Sequence, residues 1–127
     1  MGVKYRVIPR KNPQDIMLPE KFYAAGISNG ETDMEALAEM IAYQSTLTDT
    51  DCYAVLSSLE HNITNELRQG RIVKLGSLGN FQISISSEGK EEDNEVTASN
   101  IVKSRILFRP GKKLRNLLGN LSYTKAS

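Results

Sequence analysis

Hydrophobic positions near the start of the chain recur with a period of two. Val3, Tyr5 and Val7 alternate with Lys4, Arg6 and Ile8, the pattern of a half-exposed strand, and Pro9 with the turn residues Asn12-Pro13 predicts its end. Lys21 to Ser28 is a weaker strand, followed by a turn at Asn29-Gly30. The period then changes to that of a helix. Thr32-Asp33-Met34-Glu35 has the form of a capping box, and Met34, Leu37, Ala38 and Ile41 put one apolar face on the helix behind it, with Glu35 and Glu39 turned outward. A second helix opens at Thr48-Asp49-Thr50-Asp51, carries the stripe Cys52, Val55, Leu56, Leu59, Ile63 and Leu67, and runs to a glycine cap at Gly70. Two amphipathic helices in tandem predict a helix hairpin.

Period two returns after Gly70. Arg71 to Leu75, the turn Gly76-Ser77-Leu78-Gly79, and Asn80 to Ser86, in which Phe81, Ile83 and Ile85 alternate with polar residues, predict a β-hairpin. Ser86 to Asn94 has the composition of a mobile loop, and Ile101 to Phe108 is strand-like again. Arg109-Pro110-Gly111-Lys112-Lys113-Leu114 opens a short last helix with Leu114, Leu117 and Leu118 on its apolar side. Its cations Lys112, Lys113 and Arg115 oppose the helix dipole, and that local cost invites a functional explanation.

Charge changes this picture when it is divided along the chain, because the net of +1 conceals blocks of opposite sign. Residues 1–30 carry a net of +3, residues 31–66 a net of −8 with no cation, residues 67–87 a net of +3 and residues 88–95 a net of −4. From Val96 onward there are seven basic residues and no carboxylate. Such a tail on ordered structure is suited to neutralising phosphates.

Candidate chemistry is sparse. Cys52 lies in an apolar stripe and reads as a small buried hydrophobe, while His61 lies off the stripe with no second ligand at metal spacing, so no metal and no cofactor are expected. The glycines of residues 76–79 lack the Gly-Lys-Ser/Thr and following helix of a phosphate loop, and Asn62-Ile63-Thr64 matches a glycosylation sequon without consequence for a cytoplasmic chain. No nucleophile–base pair is spaced for catalysis, so neither an enzyme nor a small-molecule substrate is expected. The 127 residues fit one domain with an appendage. They contain no membrane-spanning run, and the first residues lack the apolar core of a signal peptide, so a cytoplasmic place is expected.

Val73-Lys74-Leu75-Gly76-Ser77-Leu78-Gly79-Asn80-Phe81 and Phe108-Arg109-Pro110-Gly111-Lys112-Lys113-Leu114, in this order around a helix hairpin, resemble two signatures of the HU and integration host factor family of bacterial DNA-bending proteins. Thr97-Ala98-Ser99 is similar to the return strand of that family's arm. The resemblance covers roughly residues 32–119, and the first thirty residues, foreign to ordinary HU, resemble an extended HU-related branch of Bacteroides-type bacteria. It implies an α+β fold, with a helix hairpin, a three-stranded antiparallel sheet, a β-arm over about 82–107 and a short C-terminal helix. The expected division is an N-terminal β extension over residues 1–30 and the HU-like domain over 31–127.

The resemblance further implies an intertwined homodimer of the nucleoid that binds double-stranded DNA with little sequence preference. HU and integration host factor are standing examples of minor-groove architectural binding, and the mechanism is that family's. Residue by residue, Arg109, Lys112 and Arg115 match positions that face the DNA backbone, and Gly79 matches a turn glycine that lets backbone approach phosphate. Lys113, Lys103, Arg105 and Lys74 join them on charge alone. The family's arm carries arginines and a proline tip. Here the matching outgoing positions are Ser84 and Ser86, the tip is Glu88 to Glu95, and no proline lies between Pro19 and Pro110, so bending weaker than that of HU, or an arm turned away from DNA, is expected. An interaction protein that kept this fold without its DNA is the alternative.

Overall fold

The computed structural model describes residues 2–126, which form two compact units. The first joins the residues up to Asp33 with those from Leu118 on, and the second spans Met34 to Leu117. In the first unit, strand β1 (Val3–Arg10) pairs antiparallel with β2 (Lys21–Ile27). The strand runs on through Pro9 instead of ending there. On its other side β1 is paired only at Val3 to Tyr5, so Pro9 has no ladder partner on that side to disappoint with its missing N–H. The C-terminal residues depart from the expected division. Strand β6 (Tyr123–Lys125) pairs in parallel with β1, the Val3 amide donates to the Ser122 carbonyl at 2.9 Å, and the Ala126 amide donates to the Tyr5 carbonyl at 2.8 Å. The sheet order is β2-β1-β6.

The second unit contains the helix hairpin. Helix α1 (Met34–Tyr43) starts after Asp33, which puts Asp33 and not Thr32 at the N-cap position. Helix α2 (Asp49–Arg68) starts as its sequence predicts, with the Thr48 hydroxyl accepting from the Asp51 amide at 3.1 Å. Its end is closed by paired bonds around Gly70: Gly70 donates to Leu67 and Arg71 to Glu66, while the Arg71 guanidinium reaches the Glu66 carboxylate at 2.9 Å. Cys52 and Leu67 of the predicted stripe are buried with Ala38 of α1, and Leu56 and Ile63 are half-buried. Val55 is 60% exposed. His61 is exposed, its Nε2 3.0 Å from the Asn65 amide nitrogen.

The hairpin is followed by β3 (Val73–Lys74), β4 (Gly79–Ser87) and β5 (Ile101–Pro110), an antiparallel sheet in the order β3-β4-β5. Helix α3 (Lys112–Leu118) comes next. The segment that resembled a return strand, Thr97-Ala98-Ser99, is instead part of a short 3₁₀ turn over Ala98–Asn100. The Asn100 side chain accepts from the Thr97 amide at 2.8 Å and the Asn100 amide donates back to the Thr97 carbonyl at 2.9 Å, a local exchange that curls the backbone before the ladder begins.

Candidate nucleic-acid interface

The register of the second sheet sorts its side chains onto two faces. Residues directly opposite in neighbouring strands share a face, and each strand alternates faces along its length. Phe81 pairs with Val73 and Phe108, Ile83 with Ile106, and Ile85 with Ser104, so one face is largely apolar; the Phe81 and Phe108 rings pack with centroids 4.9 Å apart. The other face takes Lys74, Asn80 and Arg109 in one row, then Gln82 with Leu107, Ser84 with Arg105, and Ser86 with Lys103. Four predicted site residues, Lys74, Lys103, Arg105 and Arg109, therefore lie on one face with no carboxylate among its members. From Lys103 to Arg109 that face runs about 20 Å at the rise of a strand, a length comparable with about six phosphates of one DNA strand.

Helix α3 starts from the end of the sheet where the row of Lys74, Asn80 and Arg109 lies. The Gly111 amide donates to the Leu78 carbonyl at 2.9 Å, and its carbonyl accepts the first helical bond, from Arg115, at 2.9 Å. A Cβ at Gly111 would lie 2.2 Å from the Ser77 carbonyl oxygen, so no side chain fits where β5, the turn and α3 meet. Lys112, Lys113 and Arg115 follow directly and are exposed. Gly79 is buried. With φ of +146° and its missing Cβ directed at the Arg109 carbonyl and the Phe108 ring, it permits close approach within the sheet and so sets the position of Arg109.

All seven predicted cations are exposed, and none forms an ion pair among the described residues, whereas Lys11 and Arg71 do. Asn80 and Gln82 lie on the same face but are absent from the site predicted from sequence. The alternation that assigns Phe81 and Ile83 to the apolar side was their signal. No group of three or more His, Cys, Asp or Glu side chains is arranged for a metal among the described residues, and no helix there is long and apolar enough to cross a membrane. On the apolar side, Leu56, Leu59, Ile63, Leu67, Phe81 and Ile106 line an open groove of about 320 Å³.

The second unit is thus an α+β module in which a helix hairpin accompanies a two-faced antiparallel sheet with exposed cations on its polar face. The chain belongs to the HU-HIG family, described as an HU domain fused to a winged helix-turn-helix, immunoglobulin or glycine-rich motif, whose family model matches residues 1–125. Integration host factor subunit alpha of Actinobacillus succinogenes is 34% identical over 82 residues, 62% of this chain and 83% of that protein. A crystal structure from Bacteroides vulgatus, of a protein with the provisional label of bacterial DNA-binding protein, superposes with a TM-score of 0.65 at 15% identity. It covers 97% of this chain, which spans 47% of that longer one, and at this identity the likeness is one of fold.

Proposed function

We propose that the chain binds double-stranded DNA as a homodimer, with little sequence preference, through phosphate contacts, as a nucleoid protein of the cytoplasm. The observation that carries this reading is the cationic sheet face: Lys74, Lys103, Arg105 and Arg109 in register, exposed, unpaired among the described residues and without a carboxylate. Lys112, Lys113 and Arg115 extend it through α3, while Gly79 acts by shaping the turn. Contacts of this kind position a protein on the duplex and carry no base information, so no chemistry and no sequence reading follow from them. The family membership and the name of the Actinobacillus relative support the same reading.

Dimerisation is supported by what the protomer leaves undone. Its buried apolar core comprises Ala38, Cys52 and Leu67, while Leu59, Ile106 and Phe108 remain 41–63% exposed. A two-fold partner laid on the apolar groove would bury them, and burial of apolar area is the dominant favourable term in association. In this reading the DNA-binding part is the unit Met34 to Leu117, and the residues from Leu118 on, expected within an HU-like domain over residues 31–127, go with the N-terminal extension.

The acidic loop 88–95 favours bending weaker than that of HU, since carboxylates near phosphates are repelled. A fluorescent duplex of about 30 base pairs titrated at two salt concentrations tests the reading, because phosphate contacts make affinity fall steeply with salt. Tight, salt-sensitive binding that Arg109→Glu/Lys112→Glu/Arg115→Glu abolishes is the expected result. No binding even at low salt would leave an interaction protein that kept the fold and lost the DNA.

A further inference from the structure

The first unit repeats the two-faced construction of the second. In the β1–β2 ribbon, Lys4 pairs with Ile27, Arg6 with Ala25, Ile8 with Tyr23 and Arg10 with Lys21. One face therefore holds four cations, Lys4, Arg6, Arg10 and Lys21, interleaved with Ile8, Tyr23, Ala25 and Ile27, and no carboxylate. All four are exposed, and none is ion-paired among the described residues. The opposite face is apolar, and Val3, Tyr5, Ala24, Gly26 and Tyr123 line a shallow groove of about 370 Å³ on it. Both faces are open in the protomer: on the apolar one Val7 and Phe22 are 46% and 71% exposed.

The ribbon's tip supplies an independent observation. Between Pro13 and Pro19 the loop is held by two successive side-chain turns: Asn12 Oδ1 accepts from the Gln14 amide at 2.9 Å, and Asp15 Oδ1 accepts from the Met17 amide at 3.0 Å. Backbone bonds from Asp15 to Asn12 and from Leu18 to Asp15 reinforce them. The result presents Ile16 and Met17 to solvent, 71% and 87% exposed. An ordered loop that exposes two large apolar side chains forgoes the burial that would stabilise each of them. Cations along one face of a ribbon with an apolar tip match a device that minor-groove binders frequently use: charges on the phosphates and a wedge between base steps.

We infer that the β1–β2 ribbon is a second contact with duplex DNA, its cationic face on the phosphates and Ile16-Met17 as a wedge in the minor groove. This rests on the DNA-binding reading above and assigns the wedge to a ribbon other than β4–β5. In the full chain, Lys4→Gln/Arg6→Gln/Arg10→Gln/Lys21→Gln makes the slope of log affinity against log salt shallower by about 3 to 4, close to 0.9 for each phosphate that is no longer neutralised. Ile16→Ser/Met17→Ser, at positions too exposed to matter for folding, leaves that slope unchanged. It lowers energy transfer across an end-labelled duplex towards the value of free DNA.

Wild-type protein that binds DNA while both variants match it in slope and in energy transfer overturns the inference and leaves the proposed function standing. Wild-type protein that binds no duplex at low salt overturns both. Loss of binding to phosphatidylserine-containing vesicles in both variants, with DNA binding unaltered, would make the ribbon a lipid-facing device and also overturn the inference.

Discussion

The two β-ribbons share a plan and differ at their tips. Each is antiparallel, each has one cationic and one mainly apolar face, and each gathers its cations by the period-two rule. The β4–β5 ribbon closes through residues 88–95, net −4 and free of proline, whereas the β1–β2 ribbon closes through a proline-bounded loop that displays Ile16 and Met17. A strand's face follows from register, so both ribbons can carry the same charge. A tip answers to no such periodicity, and its composition can specialise freely. Their surroundings differ as well: the apolar face of β4–β5 forms a groove with α2, while the β1–β2 ribbon is extended along its β1 edge by the short parallel strand β6.

The largest effect is expected on the apolar face of the β4–β5 ribbon. Ile106 is 63% exposed in the protomer, so Ile106→Glu leaves the protomer folded but places a charge in any dimer interface formed over the groove, weakening association by roughly 100-fold or more. Sedimentation of wild type and variant at micromolar concentration checks this; equal sedimentation of the two would remove the dimer from that face.

Next comes the joint that this ribbon has and the other lacks. Gly111→Val puts a side chain against the Ser77 carbonyl and costs about 2–3 kcal/mol, read as a fall in the denaturant midpoint with the slope retained. A midpoint equal to that of wild type would show that the turn moves aside at little cost.

Reversing the acidic tip sharpens the comparison directly. Glu91→Lys/Glu92→Lys/Asp93→Lys tightens duplex binding about tenfold at low salt if the loop lies near the phosphates, and the gain shrinks as salt rises. Unchanged affinity would mean that this ribbon points away from DNA. The smallest effect serves as a reference for both ribbons: Thr48→Ala removes the cap of α2, a residue on neither cationic face, and costs about 1 kcal/mol of stability with DNA affinity untouched. A change in salt slope in this variant would show that affinity follows general stability and not the faces.

Much of the second unit is legible in the sequence. The stripe of α2 places Cys52 and Leu67 inside because a helix returns a residue to the same side every three to four positions. The same stripe includes Val55, which the protomer leaves exposed; amphipathicity marks a surface that must be covered, without saying by what. Charge singles out Lys74 and a motif singles out Arg109, but their sharing of a row is not readable, since 35 positions separate them and only the strand pairing brings them together. The 3₁₀ turn at Ala98–Asn100 is hidden in the sequence because Thr and Ser suit a strand as well as a turn. Tyr123 to Lys125 is too short to show any period, and its pairing with β1 depends on residues at the other end of the chain.

By itself the sequence determined the helix hairpin, the strand segments before the last, the blocks of charge and the family signatures, all of which are local properties, carried by short runs of residues or by a period of two or of three to four. Tertiary structure alone decided which cations share a face, that Gly79 is buried against Phe108 and not open to solvent, and that the last strand joins the first. These depend on register and on contacts between distant segments, and a one-residue slip in pairing would have sent each strand's cations to its opposite face.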